Sequence, residues 1–146
     1  MDCNQICQGS SIYLTVQVPG ALFGCGDLHA VMGDGEIIAT GAETNGEVRV
    51  KAQVVDLKGL PTPFLETSEF VSTIASAPSV DEATNQATHA MANFLSNLAG
   101  IPINEAGMLM SLVGQLKFCQ VVDPQRTVRF EFPKWVLAEY GFNLPK

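Results

Sequence analysis

A chain of 146 residues with 47% hydrophobic and only 16% charged side chains is long enough for one ordinary domain with a sizeable core, and short for two. Its net charge of −7 and eight scattered Lys and Arg residues exclude a nucleic-acid groove, which needs clustered cations, and argue against an anionic membrane surface. No apolar run approaches the roughly 20 residues of a membrane span, and a charge fraction below the roughly 25% of ordinary soluble domains points to a surface partly covered by other protein.

The N-terminal Met1-Asp2-Cys3-Asn4-Gln5 has no basic start followed by an apolar stretch, so no secretory signal is read and a cytoplasmic location is expected. Four cysteines occur, Cys3, Cys7, Cys25 and Cys119. The first two are separated by three residues, not the two of a redox or zinc-ribbon pair, and free, mostly buried thiols are expected. Ser11 to Val18 is β-branched and alternating up to Pro19-Gly20, a strand and a turn. Leu22 to Val31 reads as a buried strand with glycines at 24 and 26. Gly33-Asp34-Gly35 is a turn, and Glu36 to Ala42 a returning strand. After Asn45-Gly46, Glu47 to Val55 alternates as a half-exposed strand. Ser68 to Ser76 is one more.

The pattern then becomes helical. Ser79-Val80-Asp81-Glu82 has capping-box spacing, and Ala83, Ala87, Ala90, Met91, Phe94, Leu95 and Leu98 recur at helical intervals up to Gly100. Asn104 is placed to cap a second helix running to about Leu116. Asp123-Pro124 breaks the chain, Thr127 to Phe132 alternates as a final strand, and an aromatic tail with Trp135, Tyr140 and Phe142 follows. Strands first, helices later and a closing strand predict an α+β fold, a β-rich sandwich or barrel-like sheet with two helices packed against it. Residues 1–146 form one domain, without repeat or linker.

The chemistry concentrates between Asp27 and Glu43. If the backbone there is extended, Asp27 and His29 project from the same face, and Asp34 and Glu36 share the same spacing. One histidine and four carboxylates fall in this stretch, yet the first basic residue is Arg49. Carboxylates on an apolar, glycine-rich frame need a counter-charge. A divalent cation is a natural partner: mixed nitrogen and oxygen donors suit Zn²⁺ with an open position for water, and spare carboxylates suit a second, harder ion such as Ca²⁺. Each residue also has a plain reading, a turn for Asp34 and a hydrogen-bonded structural side chain for His29. A later basic residue such as Lys117 or Arg129 is an alternative counter-charge. His89 falls on the polar face of its helix and is expected to be solvated. Cys25 would be a nucleophile only with His29 as its base.

The run Gly26-Asp27-Leu28-His29-Ala30-Val31-Met32-Gly33-Asp34-Gly35-Glu36 resembles the signature of the acetamidase/formamidase family. Val16 to Phe23, Ala42-Glu43, Asn104-Glu105-Ala106, Met110-Ser111-Leu112 and Gln120 to Pro124 extend the likeness over nearly the whole chain. Met32 stands where many members carry glutamine. The resemblance implies an amidohydrolase that converts small linear amides of the formamide or acetamide type to carboxylate and ammonia. It assigns Asp27, His29 and Glu43 as metal ligands, Glu36 as general base and proton donor, and Asp34 as an orienting or second-ion residue. It also implies that this chain corresponds to the C-terminal portion of a longer protein, inactive on its own if the missing N-terminal half is essential, and that it assembles as a homo-oligomer. The competing readings are a non-catalytic β-rich module stabilised by a structural metal, and a binding or assembly domain in which the acidic cluster is incidental.

Overall fold

The computed structural model describes residues 1–144. Its centre is a five-stranded antiparallel sheet in the order β1-β4-β5-β7-β6, formed by Ser11–Tyr13, Phe64–Glu66, Phe70–Ala77, Arg126–Pro133 and Gln115–Gln120. The long central strands carry the pairing, from Phe70 opposite Pro133 to Ala77 opposite Arg126. Both are rich in β-branched or aromatic residues, which fit a pleated, buried surface. Between β5 and β7 the chain supplies two helices, α1 (Val80–Asn93) and α2 (Ile103–Val113). A π-helical turn, Phe94–Leu98, follows α1, and α3 (Lys134–Glu139) follows β7. The α+β expectation holds, with helices against a sheet, and the sheet is open at both edges rather than closed into a barrel.

Side-chain alternation splits the sheet into two unequal faces. Phe64, Val71, Val128, Phe130 and Phe132 point to the helices and meet Ala83, Ala87, Met91, Phe94 and Leu95, all buried. The Phe64 and Phe94 rings lie 4.7 Å apart, and Phe142 packs edge-on against Phe94 at 5.4 Å. The helix side binds the sheet by one polar contact as well, Thr73 Oγ1 donating to the Ala87 carbonyl at 2.7 Å. The other face is smaller and mixed. Cys3, Leu65, Ile74 and Cys119 form a minor core there, beside the buried polar residues Arg129 and Glu131. It is this second face that carries the candidate site.

Helix ends follow the capping signals in part. Ser79 accepts from the Glu82 amide at 3.2 Å, but Glu82 turns outward to Gln86 instead of closing the reciprocal half of the box. Gly100 ends the π-turn in a left-handed conformation, φ 72°. The second helix begins one residue before Asn104, with Pro102 at its N-cap, and stops at Val113 rather than Leu116. Gly114 decides that end: a Cβ there would lie 2.6 Å from the Phe130 ring and 2.5 Å from the Met110 carbonyl. Residues 115–120 then enter the sheet as an edge strand, whose first two residues the expected helix had covered. β4 and α3 are further elements beyond those expected.

The first half departs most from expectation. Of the four strands expected between residues 11 and 55, only Ser11–Tyr13 and a small ribbon form. That ribbon pairs His29–Val31 (β2) with Ala42–Glu43 (β3). Leu22 to Val31 is exposed apart from the half-buried Leu28 and His29, and Glu47 to Val55 pairs with nothing among the described residues. The alternation is still that of strands, but a strand needs hydrogen-bond partners on its edge. Among the described residues no such edge lies alongside. Leu14, Val16, Val18, Phe23, Val48, Val50 and Val54 are consequently left facing solvent, Val54 at 89% exposure.

Candidate functional site

The β2–β3 ribbon gathers three of the five expected site residues. In its register His29 stands opposite Glu43, a cross-strand pair whose side chains meet. His29 Nε2 lies 2.9 Å from Glu43 Oε1 and 3.5 Å from Asp27 Oδ1. Donor atoms of Asp27, His29 and Glu43 all fall within 4.8 Å of one another. The reason differs from simple alternation. Asp27 is not extended: its φ of 62° is left-handed, and the strand starts only at His29. That rare conformation swings the carboxylate back over the imidazole, a local cost of the kind found at ligand-gripping positions.

Neighbours fix the imidazole. Met32 Sδ sits 3.3 Å from Nδ1, and Thr40 Oγ1 donates to Glu43 Oε1 at 3.0 Å. Behind the ring, a Cβ on Gly41 would fall 2.7 Å from Nδ1 and 3.0 Å from the Val31 carbonyl. Only glycine fits there. The donor set suits a divalent cation: one largely covered imidazole nitrogen and two exposed carboxylates, with spacings of 2.9 and 3.5 Å. Ligand atoms around a tetrahedral zinc with bonds of about 2.0–2.2 Å lie roughly 3.3–3.6 Å apart, which the 3.5 Å spacing meets and the 2.9 Å hydrogen-bonded pair would reach by opening slightly.

Asp34 and Glu36 lie on the adjoining loop, and the structure separates their roles. Gly35 is pinned to the edge strand, its amide donating to the Cys119 carbonyl at 3.1 Å and its carbonyl accepting from Val121 at 3.1 Å. Asp34 turns to Arg129, whose Nη2 contacts both carboxylate oxygens at 3.0 and 2.9 Å, and accepts from Asn4 Nδ2 at 3.0 Å. Arg129 itself is 1% exposed and also donates from Nε to Glu131 at 2.7 Å. Partial burial works against ionisation of Asp34, but the Arg129 and Asn4 hydrogen bonds outweigh it, and its carboxyl is held below the ordinary value. For Arg129 burial likewise opposes the charge, and the two carboxylates overcome it.

Glu36 has no such cation. Desolvation, then repulsion from Asp2, Asp123 and Asp27, raise its pKa, and the charge of His29 offsets this only in part. It too has a left-handed backbone, φ 47°. The site therefore holds a metal-type triad, a neighbouring carboxylate whose pKa is raised, and a second carboxylate locked in an ion pair. Asn4, Thr40 and Gly41 join the site without having been singled out by the sequence, and Arg129, expected as an alternative counter-charge, serves Asp34 rather than Asp27. A glycine directly before Ala42-Glu43 is the one available signal; nothing local tells which face of a strand Arg129 takes. His89 is exposed on α1, and all four cysteines are free, Cys3 and Cys119 buried, Cys7 and Cys25 exposed.

The chain belongs to the acetamidase/formamidase family, whose model matches residues 1–133. Among solved structures it is similar to an acetamidase from Bacillus halodurans, with 44% identity and a TM-score of 0.93 over 97% of this chain and 48% of that one. A protein from Thermoanaerobacter tengcongensis described as a predicted acetamidase/formamidase gives 39% identity and a TM-score of 0.85, covering 99% of this chain and 48% of its own. Acetamidase from Yersinia enterocolitica gives 30% identity and a TM-score of 0.78, over 94% and 42%. A Schizosaccharomyces pombe protein named as a formamidase is 42% identical over 55 residues, 37% of this chain and 13% of its length. The chain thus spans less than half the length of the solved relatives it matches.

Proposed function

We propose that this chain carries the amide-hydrolysing site of an acetamidase/formamidase, acting on small linear amides to give a carboxylate and ammonia. The observation that carries the reading is the convergence of Asp27, His29 and Glu43 within 4.8 Å, in a chain matched by this family's model. These three residues would hold a divalent cation, zinc being the best fit to the donors. Bound there, such an ion would supply Lewis-acid polarisation of the amide carbonyl and a lowered water pKa. Glu36, with its raised pKa, is the base that takes a proton from the attacking water and returns it to the leaving nitrogen. Asp34, spent on Arg129, holds the loop that presents Glu36. A second ion such as calcium has less support, because Asp34 already has its counter-charge.

Formamide and acetamide differ by one methyl, worth only about 1–3 kcal/mol in an apolar pocket, so either substrate suits this reading. Residues 14–55 leave their apolar side chains in solvent, yet the chain superposes over 97% of its length on an acetamidase about twice as long. That path supports completion of the sheet by the other half of a family member, and homo-oligomeric assembly of the whole. A cytoplasmic location is part of the same proposal. No helix among the described residues is long and apolar enough to cross a membrane.

Metal content of chelator-treated protein reloaded with zinc, measured beside Asp27→Ala and His29→Ala, tests the site. About one ion per chain, lost in both variants, is expected. Full retention in both would overturn the ligand assignment. Ammonia release from formamide and acetamide by the full-length protein, lost in Glu36→Gln with metal retained, tests the reaction.

A further inference from the structure

An imidazole offers a metal one of its two nitrogens, and the hydrogen bond made by the other decides which. The ring of His29 has a different neighbour on each side. Nε2 faces the carboxylates, Glu43 Oε1 at 2.9 Å and Asp27 Oδ1 at 3.5 Å. Nδ1 faces the thioether of Met32, with Sδ at 3.3 Å. A thioether has no proton to give and can only accept. The contact is therefore a hydrogen bond only when Nδ1 carries the proton, and a neutral ring in that form leaves Nε2 bare, toward Asp27 and Glu43. In histidine ligands this second nitrogen is ordinarily held by a carboxylate, a backbone carbonyl or water. Here a sulfur stands in that place.

We propose that Met32 is a positioning residue of the metal site: its thioether accepts from His29 Nδ1–H, and so fixes both the orientation of the ring and Nε2 as the ligand nitrogen. This rests on the reading of Asp27, His29 and Glu43 as metal ligands, and adds to it the group that aims the imidazole. Turned over about its outer bond, the ring would present C–H groups to Met32 and Glu43 alike and lose both contacts. The His29 side chain is only 9% exposed, which leaves little water to replace the sulfur as acceptor.

The sulfur is itself held in place. Asn4 Nδ2 donates to the Met32 carbonyl at 3.1 Å and to Asp34 Oδ1 at 3.0 Å. Asp34 is in turn paired with the buried Arg129 at 2.9 Å. Gly41 closes the side of the ring, since a Cβ there would lie 2.7 Å from Nδ1 and 2.8 Å from Cγ. The imidazole thus sits between a glycine that bars displacement and a thioether that selects its proton.

The test titrates zinc into the metal-free chain and compares the parent with Met32→Leu and Met32→Gln. Leucine keeps a similar volume without an acceptor, and glutamine returns an acceptor on a chain of similar length. Met32→Leu is expected to bind zinc about tenfold more weakly, as on loss of other ligand-supporting partners, and Met32→Gln to recover the parent affinity. Equal affinity in all three, or a loss in Met32→Leu that glutamine does not recover, would overturn the proposal, the second outcome by assigning Met32 to packing alone. Ring-nitrogen NMR spectra give a second readout, because the chain has only two histidines. In the zinc-loaded parent His29 should show a protonated Nδ1 and a metal-bound Nε2; a metal-bound Nδ1 refutes the positioning role. Asp27→Ala separates the two levels of inference. If the parent binds no zinc, or Asp27→Ala leaves binding intact, the ligand assignment fails and this proposal with it. If Asp27→Ala abolishes binding while Met32→Leu leaves it unchanged, the role of Met32 fails alone.

Discussion

At the scale of single residues the site depends on side chains that do no chemistry. Gly41 leaves no space for a methyl group behind His29, the nearest ring atom being 2.7 Å from its would-be Cβ. Gly41→Ala should rotate the imidazole off Glu43 and weaken zinc binding at least about tenfold, a loss typical of disturbed ligand support. Calorimetric titration with zinc checks this, and unchanged affinity would show that the ribbon relaxes freely. Arg129 is the other such residue. Arg129→Met leaves Glu131 buried without one of its cations and Asp34 without its partner, and should cost about 3–5 kcal/mol in urea unfolding. The pH dependence follows with a definite sign. The Asp34 pKa is lowered in the folded state, so its stabilising contribution is present above the unfolded value of about 3.9 and fades as pH falls through the folded one. Asp34→Asn should therefore be less stable than the parent at pH 6, with the gap closing toward pH 2. A pH-independent gap would mean that the carboxylate charge is irrelevant.

Elements are legible in the sequence where hydrogen bonds are local. Helix α1 announces itself through its cap and its alanine, methionine and phenylalanine stripe, because a helix satisfies its backbone within its own segment. Removing the cap in Ser79→Ala should cost about 1 kcal/mol, read as a lower urea midpoint at constant slope. The start of β6 looks instead like the end of a helix, since a short apolar run fits both and the Phe130 contact that bars continuation past Gly114 comes from β7. Gly114→Ala is accordingly expected to destabilise by about 1–3 kcal/mol through overpacking, whereas at an ordinary exposed helix end the same change would be nearly neutral.

For the molecule as a whole, the two halves of the chain differ in how far they complete themselves. Residues 60–144 bury an aromatic and aliphatic core between helices and sheet, while most of residues 14–59 lies open, with Arg49, Lys51 and Lys58 exposed. Limited trypsin digestion should cut first at those three positions, because cleavage requires a segment free of packing. First cuts at Arg126 or Arg129 would instead place the weak point in the sheet itself.

The sequence by itself determined the α+β class, the existence of α1 and α2, the two long strands and the resemblance carried by Gly26 to Glu36. Those follow from period, capping and residue chemistry, which are local. Only the tertiary structure decided that Asp34 answers to Arg129, 95 positions away, while Asp27 and Glu43 converge on His29. It also decided that Asp27 reaches the imidazole through a left-handed turn, and that the first half's strand-like alternation goes unpaired. Each of these depends on which segment lies alongside which. A side chain's partner is set by packing across the fold, and strand hydrogen bonds exist only when a neighbouring edge supplies them.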